Sequence, residues 1–313
     1  MYSIVLCLNP ARDMGIKADK ILLGEPNSVK SVVSTAGGKG INVAKVLARC
    51  KKRCILTGFL GGMTGDWILS EIDKLGIESD FVRTKNETRT NIKLLTDDGS
   101  YTELNSKGAL VYPEEENELY EKLFSILGKI CGEKEENEPV FIAASGSIPQ
   151  GVENSVYNFI IESVKEKSFK NVKFFVDCDN LLLKKAVEAK PFLIKPNIHE
   201  FSRLVDKKFS TTEEAVKSCE LFFKDTGINV LMSCGADGAY LVSEHGTFKR
   251  ECENIPGCMP NGAGDTMLGA FISSYSENVG RCDEKTAMSI SLEFSMNYVR
   301  DYLIREKEKA NNR

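Results

Sequence analysis

The segment Gly262-Ala263-Gly264-Asp265 sets three small residues ahead of one carboxylate and runs into TMLGAFISSY, where Met267, Leu268, Phe271 and Ile272 follow helical spacing. Successive backbone N–H groups in such a turn can approach a ligand closely, and the positive end of the helix dipole favours an anion there. An anion hole edged by a carboxylate suits phosphoryl transfer, in which donors meet the migrating charge and a base takes the proton of the attacking hydroxyl. Asp265 has a second reading as the N-cap of a helix starting near it, worth about 1 kcal/mol. The four residues alone leave both open. Gly37-Gly38-Lys39-Gly40 looks at first sight like a phosphate loop. No Ser or Thr follows its lysine, however, and the chain contains neither G-x-x-x-x-G-K-[ST] nor a strand-borne G-x-G-x-x-G. Ahead of INVAKV, its glycines would let a polyol lie against the backbone, with Lys39 and Asn42 donating hydrogen bonds, or would serve as a plain loop-to-helix turn.

These residues need a scaffold, and the hydrophobic pattern supplies one. Ile4 to Leu8 is a short apolar run fit for a buried strand. INVAKVLARC reads as a helix, CILTGFLG as a strand, DWILSEIDKLG as a helix closed by Gly76, and SDFVRT as a strand. Further along, helices in ENELYEKLFSILGKI, NSVYNFIIESVKEK, LLKKAVEA and TEEAVKSCELFFKDTG alternate with strands in VFIAAS, KFFVDC, FLIKPN and NVLMSC. Strands separated by helices imply an α/β fold with a mostly parallel sheet covered on both faces. One interruption, TNIKLLTDDGSYTELN, alternates with period two about Asp98-Gly99 and predicts a hairpin. With the polar segment near residues 12–35 it can form a small antiparallel flap. In an open parallel sheet, ligands collect at the carboxyl ends of strands. Asn9 with Asp13, Ser145-Gly146-Ser147, Asp177, Lys195 with Asn197 and Glu200, and Ser233 with Gly235 all fall there.

Composition narrows the partners. The 313 residues carry a net charge of −4 and no long basic block, which argues against nucleic acid, since binding its backbone needs clustered cations. No apolar run approaches the roughly 20 residues that span a bilayer, and no signal-like start occurs, so no membrane partner and a cytoplasmic location are expected. Ten cysteines include no C-x-x-C, and two histidines are too few for the usual zinc patterns. Most of the cysteines are expected to be reduced core thiols. Cys50 and Cys54 would share one helix face, as a metal pair or as a thiol and a helix terminus.

AGGKGINVAKVLARC, GFLGGMTGD, TRTNIKL, SGSIPQGV, LIKPNIHE, SCGADGAYLV and NGAGDTMLGAF occur in the order and spacing of the PfkB, or ribokinase-like, carbohydrate kinases. NPARD, TRTNIK and SGSIPQGV resemble the sugar-phosphate branch, which includes 1-phosphofructokinases and tagatose-6-phosphate kinases. The resemblance covers nearly the whole chain. It implies a three-layer α/β/α core built from residues 1–11, 36–88 and 107–313, with a β lid from 12–35 and 89–106 over the sugar site. It implies Asp265 as the base and Gly262, Ala263 and Gly264 as the anion hole. Asn197 and Glu200, the N-x-x-E pair, would organise Mg²⁺ through water, and Lys195 would meet the triphosphate of ATP. Ser233, Gly235 and Gly238 match the turn lining the nucleotide site. Asp13, Gly38, Lys39 and Asn42 resemble contacts to sugar hydroxyls. Arg89, Asn91 and Lys93 alternate along the hairpin and so share a face. Two cations and an amide there form a clamp for a phosphate already on the sugar.

The implied activity is ATP-dependent phosphorylation of a ketohexose phosphate, foremost fructose 1-phosphate to the 1,6-bisphosphate. Tagatose 6-phosphate, fructose 6-phosphate and a non-catalytic sugar-phosphate-binding homologue are the alternatives. A homodimer packed through the lid is expected. The chain also departs from the family pattern. Met259 and Pro260 replace the usual pair ahead of G-A-G-D, which bears on a monovalent cation. Asp177-Cys178-Asp179-Asn180 replaces Asp-x-Ser-Gly. Glu293, Phe294, Met296 and Asn297 stand in the last helix, where smaller residues usually pass the adenine.

Overall fold

A computed structural model describes residues 2–133, 138–253, 255 and 261–311. In chain order the strands and helices are β1 (Tyr2–Cys7), β2 (Ala11–Ala18), β3 (Ser31–Gly37), α1 (Lys39–Arg49), β4 (Arg53–Gly61), α2 (Gly62–Asp73), β5 (Glu78–Ser79), β6 (Val82–Thr84), β7 (Arg89–Thr96), β8 (Tyr101–Leu104) and α3 (Pro113–Glu133). They continue through β9 (Val140–Ser145), α4 (Val156–Glu166), β10 (Val172–Asp177), α5 (Asn180–Glu188), β11 (Leu193–Ile194), α6 (Ile198–Leu204), α7 (Thr212–Thr226) and β12 (Asn229–Ser233). β13 (Ala239–Ser243), β14 (Gly246–Arg250), α8 (Ala263–Asn278) and α9 (Glu284–Asn311) complete the set.

The main sheet runs β14-β13-β12-β11-β10-β9-β1-β4-β5, with β6 also paired to β4. It is parallel from β12 to β5 and antiparallel only where β13 and β14 fold back. Strand periodicity divides its apolar side chains between two cores. Ile4, Leu6 and Leu8 enter the core beneath α3, α4, α5 and α7, while Val5 and Cys7 enter the core beneath α1, α2, α8 and α9. Val140, Ile142 and Ala144 against Phe141 and Ala143 repeat the division on β9. Continuous apolar runs therefore arise because both faces are covered, which is the α/β layering expected.

A second sheet, β3-β2-β7-β8, stands beside this core. β3–β2 and β7–β8 are antiparallel, and the hairpin turns at Gly99 with φ 83°. The central pair, β2–β7, is parallel, because both strands leave the core in the same direction. SDFVRT is broken into β5 and β6, where the Asp80 N–H donates to the Leu56 carbonyl and the Asp80 carbonyl accepts from Thr57. The β13–β14 hairpin and α6 had no clear periodic signal. Cys50 and Cys54 do not share a helix. Cys50 caps α1, Lys51 turns the chain with φ 57°, and Cys54 lies in β4.

Two helices that carry site residues meet at a glycine. A Cβ on Gly269 of α8 would fall 2.8 Å from Val46 Cβ and 3.0 Å from the Val43 carbonyl oxygen of α1. Gly269→Ala should therefore destabilise the fold by about 1–3 kcal/mol despite alanine's better helix propensity, because backbone must move. Urea unfolding of the variant checks this.

Candidate active site

The order of strands reverses between β1 and β9, and polar side chains gather at their carboxyl ends. Asn9, just past β1 and 6% exposed, holds its Nδ2 within 3.2 Å of the Ser147 hydroxyl and the Lys107 carbonyl and 3.0 Å from the Ile148 carbonyl. It ties together the ends of the two strands and the segment that returns from β8 of the second sheet.

Asp265 is the third residue of α8. The N-cap is Gly262, in the left-handed region at φ 78°, so the N-capping reading of Asp265 falls away. The aspartate is 7% exposed, and its Oδ2 accepts a 2.9 Å hydrogen bond from Asn42 Nδ2 of α1. Burial and then the negative charge of Asp177 push its pKa up to about 6, against the Asn42 hydrogen bond and the Lys39 and Lys195 charges. A carboxylate poised there is ionised at neutral pH and basic enough to accept a proton.

Asp177 ends β10 at 1% exposure, with Oδ1 3.1 Å from Lys39 Nζ and Oδ2 3.3 Å from Lys195 Nζ. Its burial acts to raise its pKa, but the Lys195 and Lys39 ammonium groups outweigh that and keep it ionised. In return, the charge of Asp177 raises the Lys39 pKa despite desolvation, with Glu200 and Asp265 adding to it. Lys195 follows β11 and is buried, and a Cβ on Gly264 would fall 3.1 Å from its Nζ. One ammonium group therefore lies against the first turn of α8. The arrangement offers two cations and a helix N-terminus to an anion, with a base at the edge.

Gly38 and Gly40 face inward. Their added Cβ atoms would meet Cys7 Sγ at 2.9 Å and Cys7 Cβ at 2.6 Å. Close approach to β1 thus accounts for both glycines, while Lys39 and Asn42 point their polar ends at Asp177 and Asp265. On the second sheet, the β2–β7 register sets Asp13 opposite Asn91. Asn91 Nδ2 donates to Asp13 Oδ1 at 3.0 Å and Lys93 Nζ lies 2.9 Å from Oδ2. Arg89 shares their strand but donates to main chain, to the Ser106 and Asn9 carbonyls at 2.8 Å each. Asn91 and Lys93 are thus gathered on Asp13, and Arg89 is occupied at the start of β7.

Asn197 is the N-cap of α6, and with Glu200 it forms a capping box: Asn197 Oδ1 accepts from the His199 and Glu200 N–H groups, and Glu200 Oε2 accepts from Asn197 N–H at 2.7 Å. Asn197 also bridges Ser233, which brings the N-x-x-E turn beside the Ser233–Gly238 turn. In that turn Gly235 opens a short 3-10 segment at φ 58°, and Gly238 closes it at φ 85°, with an added Cβ 2.1 Å from the Arg250 carbonyl oxygen. Glu293 of α9 pairs with Arg250 at 3.1 Å, so this helix lies against β14. Met259 and Pro260 lie outside the described residues.

Asp177 is legible in the sequence as a strand-end carboxylate, but its pairing with Lys39 and Lys195 is not. Its position one residue past KFFV, at the end of a buried strand, was the available signal. Asn261 and Tyr101 carried none, since their meeting depends on how β8 of the second sheet meets the residue ahead of Gly262.

The sequence profile of the pfkB family carbohydrate kinases matches residues 5–287. A protein of Borreliella burgdorferi named 1-phosphofructokinase is 32% identical over 271 residues, covering 86% of this chain and 83% of its own. One of Bacillus subtilis with the same name is 31% identical over 282 residues, covering 89% and 86%. Among solved structures, Escherichia coli phosphofructokinase-2 in complex with fructose-6-phosphate superposes with a TM-score of 0.84 at 22% identity, covering 100% of this chain and 97% of that one. At that identity the likeness speaks for the fold.

Proposed function

The chain belongs to the pfkB family of carbohydrate kinases, and on that footing we propose that it transfers the terminal phosphoryl group of ATP to the free hydroxymethyl of fructose 1-phosphate. The product is fructose 1,6-bisphosphate. The observation that carries this reading is Asp265, a buried carboxylate with its pKa pushed up to about 6, seated in the first turn of α8 and held by Asn42. The two relatives above 30% identity named for this activity support the choice of acceptor.

In this reading Asp265 takes the proton of the acceptor hydroxyl as the phosphoryl group arrives. The N–H groups of Gly262, Ala263 and Gly264 and the Lys195 ammonium group meet the charge of the moving group. Lys39, Asn42 and Asp13 bind acceptor hydroxyls, and Gly38, packed against Cys7, seats the turn that leads into Lys39. Asn91 and Lys93 face the phosphate already present, Lys93 exchanging Asp13 for it, while Arg89 braces that strand through the Ser106 and Asn9 carbonyls. Ser233, Gly235 and Gly238 line the nucleotide. Residues 12–35 and 89–106 act as the lid, closing over the acceptor and excluding water, with 1–11, 36–88 and 107–313 as the core. Two lids packing together would make the homodimer.

The donor set at the N-x-x-E turn fits Mg²⁺. The capping box consumes one Glu200 oxygen and leaves the other for a metal-bound water, the oxygen chemistry this ion retains. Bound there with ATP, the ion would neutralise phosphate charge. No helix of the described residues is long and apolar enough to cross a membrane.

ADP release with MgATP, measured against fructose 1-phosphate, tagatose 6-phosphate, fructose 6-phosphate, ribose and adenosine, tests the proposal. The highest kcat/KM is expected with fructose 1-phosphate. Preference for another acceptor reassigns the substrate, and silence across the panel overturns the kinase reading. Lys93→Met should raise KM for the sugar phosphate about tenfold or more and leave KM for ATP within about twofold, because a lost charge-assisted bond costs about 1.5–3 kcal/mol. Equal loss of affinity for both substrates would remove Lys93 from the acceptor side.

A further inference from the structure

Asn261 stands immediately before the Gly262–Asp265 turn and makes two contacts in opposite directions. Its side-chain Nδ2 donates to the Tyr101 hydroxyl of β8 at 2.9 Å, and its carbonyl accepts from the Tyr302 hydroxyl of α9 at 2.8 Å. Tyr101 donates onward to the Glu103 carboxylate on the same strand. Tyr302 also stands 2.9 Å from where a Cβ on Gly262 would be. One residue thus joins the lid to the first turn of the helix that carries Asp265, while α9 fixes its main chain from the other side.

We infer that Asn261 is a positioning residue that couples lid closure to the geometry of the anion hole. This inference deepens the kinase reading and rests on it for its catalytic consequence. The coupling follows from the covalent order of the chain. Gly262 is the left-handed N-cap, and its φ of 78° together with the orientation of the preceding peptide decides where the Ala263 and Gly264 N–H groups point. The Tyr302 bond fixes the carbonyl of that preceding peptide, and the Tyr101 bond adds a restraint that exists only while β8 of the lid lies against Asn261. With the lid lifted, Asn261 loses its partner on β8 and the turn keeps only its α9 anchor. The anion hole is then fully ordered only when the lid covers the acceptor. The expected result is a turn that favours transfer to the sugar over transfer to water.

The test uses the full chain as wild type, Asn261→Ala, Tyr101→Phe and the double variant. Two quantities are read: steady-state turnover with sugar phosphate and MgATP, together with ADP release in the absence of sugar, and amide hydrogen exchange of Tyr101–Leu104 without substrates. Each single variant should lower kcat about three- to tenfold, with KM for ATP within about twofold, and raise the ratio of sugar-independent to sugar-dependent ADP release. The double variant should be no worse than the poorer single variant, since both remove the same bond. Exchange in Tyr101–Leu104 should quicken by a similar factor in all three. Effects that multiply in the double variant, a Tyr101→Phe protein indistinguishable from wild type, or exchange that does not change would overturn the inference. Should wild type prove silent with every sugar phosphate, the kinase reading fails on its own. The exchange experiment then still decides whether Asn261 holds the lid.

Discussion

Asp265→Asn should lower kcat by about 10²–10⁴-fold and at the same time make the protein more stable at neutral pH. Both effects come from one cause. In the folded chain the carboxyl is pushed from 3.8 to about 6, by burial and then by the nearby Asp177 charge. The folded state therefore binds this proton more tightly than the unfolded state does. The group's favourable contribution is complete below the unfolded value, is lost as pH rises through about 6, and stays lost above it. Keeping the group ionised at neutral pH costs the fold on the order of 3 kcal/mol. Asparagine removes the charge and keeps an oxygen for Asn42, so urea unfolding at pH 7.5 should show a later midpoint, with the advantage shrinking towards pH 4. The same ionisation gives wild type an acid limb. Its kcat/KM should rise with pH through about 6 and then level, because only the ionised carboxylate can take the hydroxyl proton. A variant that keeps more than a tenth of wild-type kcat would remove Asp265 from the role of base.

The balance of legible and illegible features follows from range. The α/β alternation could be read because strands such as Val140–Ser145 are covered on both faces and stay apolar throughout, while Thr212–Thr226 has a Thr211 cap and a Gly227 terminator. The hairpin could be read because Asp98-Gly99 encodes its own turn. Short elements were lost: β5 and β6 have two and three residues, too few for a period to show. In the site, the motif residues Asp265, Lys195, Asn42 and Lys39 do converge with Asp177, but only the fold reveals what each is paired with. Gly38 and Gly40 illustrate the limit. From sequence they allowed a polyol or a turn, and the packing against Cys7 is visible only once β1 lies behind them. Arg89 is the converse case. Spacing put it on one face with Asn91 and Lys93, and the carbonyls of Asn9 and Ser106, distant in sequence, draw it away.

Asp177→Asn should separate stability from proton affinity in the other direction. Its carboxylate is the counter-charge to Lys195, which is 4% exposed, and to Lys39. A neutral amide leaves the buried Lys195 ammonium group without its paired carboxylate, and breaking a buried pair in this way costs about 3–5 kcal/mol. The unfolding midpoint should fall accordingly, by far more than an exposed pair such as Lys85–Glu114 would give. Asp265 meanwhile loses the like charge that, with burial, raises its pKa, and keeps the attraction of Lys39 and Lys195. Its pKa must drop, so the acid limb of kcat/KM should move below pH 6, making the variant relatively more active in mild acid than wild type. Burial remains, so the shift will be partial. A less stable protein whose acid limb has moved down establishes that Asp177 sets the basicity of Asp265 across the site. A destabilised protein with its limb unmoved would assign that basicity to burial alone and leave Asp177 as the anchor of the two lysines.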